Sequence, residues 1–68
     1  MNVVLNGDLY ELRDGARLPE AIELSGAPSD RRGVAVAVDG EVIPRGEWDR
    51  LELADGAHVE VLQAVQGG

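Results

Sequence analysis

The sequence of 68 residues contains no cysteine, no lysine and no phenylalanine, and it has a single histidine. Without cysteine the chain has no disulfide, no thiolate metal site and no cysteine nucleophile. One histidine excludes a cluster of histidine ligands, so we predict no metal site. The absence of lysine excludes chains of this protein linked through its own lysine amines. A thiol-free chain fits a reducing compartment, and we expect a cytoplasmic protein.

Long apolar runs are also missing. No stretch approaches the length of about 18 residues that a membrane-spanning helix requires, and no basic and apolar start indicates a signal peptide. The net charge is −7, from 13 acidic and 6 basic residues. This charge argues against nucleic acids and anionic membranes as partners, because both are bound by neutralising phosphates with Lys and Arg. It favours a protein partner that presents a basic docking surface.

The residues that could carry catalysis are too few and too scattered for an enzyme. His58 falls at an outward strand position, and no neighbouring Ser, Cys or carboxylate is placed to form a general acid–base pair with it. The pair Arg31-Arg32 is interpreted as a solvated loop rather than a phosphate site. The glycines stand in turns, outside any phosphate-binding motif. We therefore expect a carrier or binding module.

Alternating apolar residues separated by turn residues predict five strands. The pair Asn6-Gly7 predicts a type I′ hairpin, because both central positions of that turn need a positive φ. The run 34–38 is apolar throughout, so its strand is either covered on both sides or has small residues on its outer face. The predicted strands are Met1 to Leu5, Leu9 to Leu12, Val34 to Val38, Glu41 to Ile43, and a last strand that begins at His58.

One short helix is predicted from Leu18 to Ser25. Pro19 suits its first turn, and Gly26 suits a left-handed position after its end. The inner stripe would hold Leu18, Ala21, Ile22 and Ser25. A second segment, Arg45 to Leu51, is predicted to be irregular, with one helical turn as the alternative. It contains Trp48, which is interpreted as a ring closing the core, with a partner contact as the alternative.

The predicted element order is therefore ββαβββ, an α+β arrangement in which a mixed sheet packs on one helix. The first and last strands are both apolar enough to be central. We expect one domain over residues 1–63 and a flexible tail over residues 64–68. Leu62 faces outward by alternation from Val59 and Val61. We weigh two interpretations of it equally, a docking contact for a partner and an ordinary exposed leucine.

The sequence ends on Gly67-Gly68, directly after an apolar strand. Most terminal glycines are frayed ends, and that interpretation stays open from the pair alone. Glycine has no Cβ, so it can pass in extended form through a narrow passage in a partner and bring a carboxylate to a reactive site. The upstream pattern favours this second interpretation. Leu62, Ala64 and Val65 would offer the partner an apolar grip on a segment that leaves the fold.

Several segments together resemble one known family. The first is 39–45, Asp-Gly-Glu-Val-Ile-Pro-Arg, with Trp48 after it, and the second is 64–68, Ala-Val-Gln-Gly-Gly. With Asn6-Gly7, Asp55-Gly56 and the ββαβββ order, the whole chain resembles the ThiS family. Its members are β-grasp, ubiquitin-like sulfur carriers of thiamine biosynthesis.

The resemblance implies a function centred on Gly68. Its carboxylate would be adenylated by an E1-like, ThiF-type adenylyltransferase that uses ATP and Mg²⁺, and then converted to a thiocarboxylate. The sulfur would come from a donor such as a cysteine desulfurase, and it would pass to thiazole synthase (ThiG) for thiazole phosphate formation. The carrier itself would bind no cofactor and perform no catalysis.

The resemblance also implies roles for the residues before Gly68. Gly67, Gln66, Val65 and Ala64 would form the tail that is threaded into the partner, and Leu62 would lie on the docking surface. The alternatives are the small subunit of molybdopterin synthase, a β-grasp sulfur carrier of another pathway, and a ubiquitin-like module that only binds.

Overall fold

A computed structural model describes residues 1–64 as a five-stranded mixed sheet with one α-helix and one 3-10 helix. In chain order the elements are β1 (Asn2–Leu5), β2 (Asp8–Glu11), α1 (Leu18–Leu24), β3 (Val34–Val38), β4 (Glu41–Val42), the 3-10 helix (Arg45–Arg50) and β5 (His58–Gln63). The predicted ββαβββ order and α+β class are confirmed. Strand β2 lies one residue earlier than predicted, and β4 ends one residue sooner.

Strand β5 occupies the centre of the sheet, whose order is β2-β1-β5-β3-β4. It pairs with β1 in parallel and with β3 antiparallel, and the two outer pairs are antiparallel hairpins. The prediction that the first and last strands are central is confirmed. The last strand of the chain is thus held on both sides, which fixes the place at which residues after it begin.

Both hairpins turn through two residues with positive φ. Asn6 has φ 49° and Gly7 has φ 85°, and Asp39 and Gly40 repeat this pattern with φ 50° and 82°. These are the backbone signs of the predicted type I′ turn, whose twist matches that of the flanking strands. A one-residue slip in either hairpin would turn every side chain of the strand to the opposite face.

The core lies between the inner face of the sheet and helix α1. Alternate residues of β1, β3 and β5 are buried, and the helix adds Leu18, Ala21 and Ile22, all at most 3% exposed. On β3 the outward residues are Ala35, which is exposed, and Ala37, which is half-buried. The apolar run of β3 therefore reflects small residues on an uncovered outer face.

Helix α1 is fixed at both ends by polar contacts. The Glu20 carboxylate accepts a hydrogen bond of 2.9 Å from the backbone N–H of Arg17, just before the helix, and a bidentate pair from the Arg13 guanidinium. These contacts, led by the one with Arg13, lower the pKa of Glu20. At the other end Gly26 has φ 82°, as predicted for the left-handed stop, and Ser25 caps the helix instead of extending its inner stripe.

The segment predicted to be irregular forms the 3-10 helix, which places Trp48 in the core. Trp48 is 2% exposed, and its indole N–H donates to the carbonyl of Ile43 at 2.9 Å. The core interpretation of this residue is confirmed. Within residues 1–64, neither helix has the length and apolar character needed to span a bilayer.

Candidate docking site on the outer face of the sheet

Leu62 lies on the central strand with its side chain directed away from the core. It is 62% exposed, whereas Val59 and Val61 are 1% and 7% exposed. The alternation predicted for β5 is therefore confirmed. Because β5 is paired along both edges, its backbone cannot twist Leu62 inward without breaking the register with β3.

The strand register shows which residues surround Leu62. Ala35 lies directly opposite it on β3, and the next outward pairs along the sheet are Ala37 with Glu60 and Ala37 with Val42. On the other side of β5, His58 is paired with Val4, and Val4 with Leu9. We call this surface the outer sheet face, and it consists of Val4, Leu9, Ala35, Ala37, Val42, His58, Glu60 and Leu62.

The outer sheet face is mostly apolar, and its one carboxylate, on Glu60, makes its charge acidic. Leu9 and Val42 are 70% and 74% exposed, at opposite edges of the sheet. Glu60 lies between Leu62 and His58, and all six basic residues of the sequence fall outside the strands. An exposed apolar surface of this kind is typical of a protein-binding site. Its charge suits a partner surface that is apolar with basic residues beside it.

The hairpin residue Asn6 holds strand β5 at Val61, the residue before Leu62. Its side-chain oxygen accepts the backbone N–H of Val61 at 2.8 Å, and its side-chain nitrogen donates to the carbonyl of Val61 at 3.2 Å. Its backbone N–H also donates to the carbonyl of Val59 at 2.9 Å. The Asn6 amide thus continues the parallel β1–β5 pairing by one step, in the manner of a backbone peptide group.

Replacing Asn6 is expected to destabilise the sheet at this point. Asn6→Ala removes both side-chain hydrogen bonds and puts alanine at φ 49°, so we expect the free energy of unfolding to fall by about 2–4 kcal/mol. Asn6→Gly loses the same bonds and tolerates the φ, so it should lose about 1 kcal/mol less. Urea denaturation of the two variants measures both values. Equal losses would contradict a role for the left-handed backbone.

Beyond β5 the structure describes one more residue, Ala64. Its backbone N–H donates to the carbonyl of Gly33 at 2.8 Å, which continues the pairing with β3 past Gln63. The other predicted tail residues, Val65, Gln66, Gly67 and Gly68, lie outside the described residues. Their proposed roles remain predictions from the sequence.

The remaining polar candidates have ordinary structural surroundings. His58 is exposed, and its backbone N–H donates to the Asp39 carboxylate at 2.9 Å. Arg31 pairs with Asp49 at 3.0 Å, and Arg32 is exposed in the same loop. Among residues 1–64, His, Asp and Glu side chains form no group of three that could hold a metal ion.

Leu9 and Val42 were missed as surface features when the sequence was considered alone. Two signals in the sequence could have found them. The Asn6-Gly7 turn fixes the β1–β2 register and sets Leu9 opposite Val4, and the Asp39-Gly40 turn sets Val42 opposite Ala37. What the sequence could not give is the order of the strands, which joins these hairpins side by side around β5.

Solved structures of known proteins share this fold over the whole length of the chain. A crystal structure and an NMR solution structure of the thiamine biosynthesis protein ThiS from Geobacter metallireducens each match with 27% sequence identity and a TM-score of 0.77. Each match covers 100% of this chain, and it covers 100% and 88% of the respective ThiS chain. No match was found among curated proteins.

The family comparison covers nearly every residue. The model of the ThiS family matches residues 3–68, a range that includes the central strand, the outer sheet face and the terminal glycines. The structural comparison and the sequence match therefore agree. The chain belongs to the ThiS family.

Proposed function

We propose that this protein is a sulfur carrier of thiamine biosynthesis that presents the carboxylate of Gly68 to its partners. The observation that carries the proposal is the family match over residues 3–68, in a fold whose central strand leads toward Gly67-Gly68. The matching solved structures are named as a thiamine biosynthesis protein. The protein acts as a substrate of other enzymes and performs no catalysis itself.

The proposed chemistry begins with activation of a poor electrophile. A carboxylate oxygen of Gly68 attacks the α-phosphate of ATP in the site of an E1-like, ThiF-type enzyme that uses Mg²⁺, and pyrophosphate leaves. A persulfide formed by a donor such as a cysteine desulfurase then attacks the acyl carbon through its outer sulfur and displaces AMP. A second thiol cleaves the resulting acyl disulfide by forming a disulfide with the sulfur donor's thiol. The product is a thiocarboxylate on Gly68, which passes its sulfur to thiazole synthase.

The described residues serve this chemistry by holding and delivering the end of the chain. The outer sheet face supplies the docking contact, with Leu62 on its central strand. Strand β5, bonded on both sides, sets the distance from that contact to the tail. Gly67 and Gly68 have no Cβ, so they suit a narrow passage in the partner. Ordering the tail costs about 1–2 kcal/mol per residue, which contacts made by Ala64, Val65 and Gln66 in the partner would offset.

Mass spectrometry tests this function directly. The intact protein is incubated with ATP, Mg²⁺, the activating enzyme and a sulfur source, and the mass is read before and after. We expect exchange of one oxygen for sulfur, and fragmentation should map it to Gly68. The same sample without ATP is the control. If activation never adds sulfur to Gly68, the proposal is wrong, and a module that only binds becomes the better account.

Docking through Leu62 gives a second expected result. Leu62→Asn would bury a polar amide in the apolar contact, so we expect the affinity for the activating enzyme to fall by about 5- to 100-fold. The fold should be unaffected, because this side chain is 62% exposed. Calorimetric titration of the activating enzyme with each carrier variant measures the change.

The matched control for Leu62 is Leu24. It is 45% exposed at the end of α1, on the opposite side of the sheet from the outer face. Leu24→Asn makes the same chemical change away from the proposed contact, and we expect affinity within about twofold of the unmodified protein. Equal losses for the two variants would show that the outer sheet face is not the docking site.

A further inference from the structure

A side chain remote from the outer sheet face contacts the loop beside the end of β5. This is Arg45, at the start of the 3-10 helix. One of its terminal nitrogens, Nη1, donates to the carbonyl of Arg31 at 2.9 Å, and the other, Nη2, donates to the carbonyl of Val34 at 3.0 Å. The two carbonyls stand on either side of residues 32 and 33. The planar guanidinium therefore holds both ends of this short stretch.

The stretch that Arg45 holds includes the anchor of Ala64. The carbonyl of Gly33 accepts the backbone N–H of Ala64 at 2.8 Å, the last hydrogen bond of the β3–β5 pairing within the described residues. The loop that presents this carbonyl includes an unfavourable backbone conformation, because the non-glycine residue Arg31 has φ 57°. A non-glycine residue seldom adopts such a φ unless contacts elsewhere hold it.

Arg45 is itself held by the core. Its guanidinium carbon lies 4.6 Å from the centre of the Trp48 ring, at stacking distance. Trp48 is fixed in turn by burial and by its bond to the carbonyl of Ile43. A continuous set of contacts thus runs from the buried indole, through Arg45, to the loop that bonds Ala64.

We propose that Arg45 is a positioning residue that fixes Gly33, and through it the Ala64 amide, and so determines where the terminal residues begin. The proposal rests on the sulfur-carrier function, because a defined starting point matters only if residues 65–68 must enter a partner's site. It gives a physical reason for the Pro44-Arg45…Trp48 segment, which lies far from Gly68 in sequence. In this proposal Arg45 acts through Gly33 and Ala64 and not on the reacting carboxylate itself.

Hydrogen exchange of the isolated protein tests the first step without any partner. We expect Arg45→Ala to lower the protection of the Ala64 amide at least about fivefold, the effect of releasing one residue's backbone order. The amides of Asp39 and Val61, which donate to the carbonyl of His58 and to the side chain of Asn6, should keep their protection. Arg45→Lys should fail to restore the Ala64 amide, since one ammonium cannot bind both carbonyls as the planar fork does and stack on the ring.

Arg50 provides the matched control. It belongs to the same 3-10 helix and carries the same charge, but its side chain only reaches the carbonyl of Gly46, at 3.4 Å. Arg50→Ala should leave the Ala64 amide protected. If Ala64 is equally protected in Arg45→Ala and Arg50→Ala, or if Arg45→Lys behaves as the unmodified protein, the positioning role is wrong.

Kinetics of activation test the second step. In ATP–pyrophosphate exchange with the activating enzyme, Arg45→Ala should raise the KM for the carrier roughly five- to thirtyfold at nearly unchanged kcat, because one more residue must be ordered on binding. A purely structural role would only lower the fraction of folded carrier, so the KM calculated from the concentration of folded carrier would be unchanged. The folded fraction of each variant is therefore measured by circular dichroism, and KM is expressed per folded carrier.

A double-mutant cycle tests whether Arg45 affects the KM for the carrier through the Ala64 amide or through another contact. Ala64→Pro removes the amide donor, so adding Arg45→Ala in that background should change KM by less than about twofold. Additive effects would show that Arg45 acts elsewhere and would overturn the proposal. Failure of sulfur addition at Gly68 would instead overturn the sulfur-carrier function, and the Ala64 exchange result would stand independently of it.

Discussion

Gly68→Ala is expected to lower kcat/KM for adenylation of the carrier by at least about a hundredfold, because displacement of a reacting group by about 1 Å can cost that much. In the proposed function the end of the chain passes a narrow site in the partner; the added Cβ would widen that end and restrict φ at the residue that carries the carboxylate. The measurement is ATP–pyrophosphate exchange driven by each carrier variant. Sulfur addition to the same samples is then read by mass.

Gly46→Ala is the matched control for this substitution. A Cβ placed on Gly46, in the 3-10 helix, meets no heavy atom within 4 Å, so the same chemical change should leave both fold and activation intact. The described core is built from residues between Val3 and Val61, so we expect Gly68→Ala to unfold in urea as the unmodified protein does. Activation of Gly68→Ala at the rate of Gly46→Ala would contradict the narrow-passage argument.

Deleting Gly68 tests whether the position of the terminal carboxylate matters, because the deletion moves this group without changing its chemical type. The shortened chain would end on Gly67, so the reacting group would still be a glycine carboxylate. It would lie roughly 3.5 Å short of its place, the length of one extended residue. We expect no sulfur addition, since β5 is held in register and cannot slide to recover that length. Sulfur on Gly67 of the deletion variant would show that activation does not depend on a fixed distance between the docked sheet and the terminal carboxylate.

The features of this structure that the sequence predicts are those that depend on interactions between residues close together in the chain. The hairpin at Asn6-Gly7 and the helix stop at Gly26 depend on local backbone preferences, and both have the expected positive φ. The inward positions of Val59 and Val61 follow from alternation within one strand. Each of these features is decided by a few consecutive residues, so the local amino-acid sequence is enough to predict it.

Contacts between distant residues are what the sequence does not reveal. The Asn6 side chain binds Val61, 55 positions later, and the Arg45 guanidinium binds the carbonyl of Arg31, 14 positions earlier. No periodicity marks either residue, because each uses its side chain to bond backbone groups that only the strand order brings near. The sequence therefore indicates the proposed reactive end of the chain, but it does not indicate the residues that hold the strand leading to it.

Trp48→Ala is expected to lower the free energy of unfolding by about 3–5 kcal/mol, the usual cost of truncating a buried tryptophan. At roughly 0.05–0.15 kcal/mol per residue, the whole domain has only about 3–10 kcal/mol. The variant should therefore be largely unfolded or close to it. Trp48 is the largest of the fully buried side chains; the sequence has no cysteine for a disulfide, and the one other large aromatic ring, Tyr10, is only partly buried. Urea denaturation followed by far-UV circular dichroism measures this, since the change removes the only tryptophan.

Trp48→Phe distinguishes loss of volume from loss of the hydrogen bond. It keeps an aromatic ring in the core and beneath Arg45, and it removes the N–H that binds the carbonyl of Ile43. We expect it to cost about 1–2 kcal/mol, which leaves a folded protein. Equal losses for alanine and phenylalanine would show that the hydrogen bond, and not packing, determines the stability. If Trp48→Phe also keeps the Ala64 amide protected, the ring face alone is sufficient to hold Arg45 over the loop.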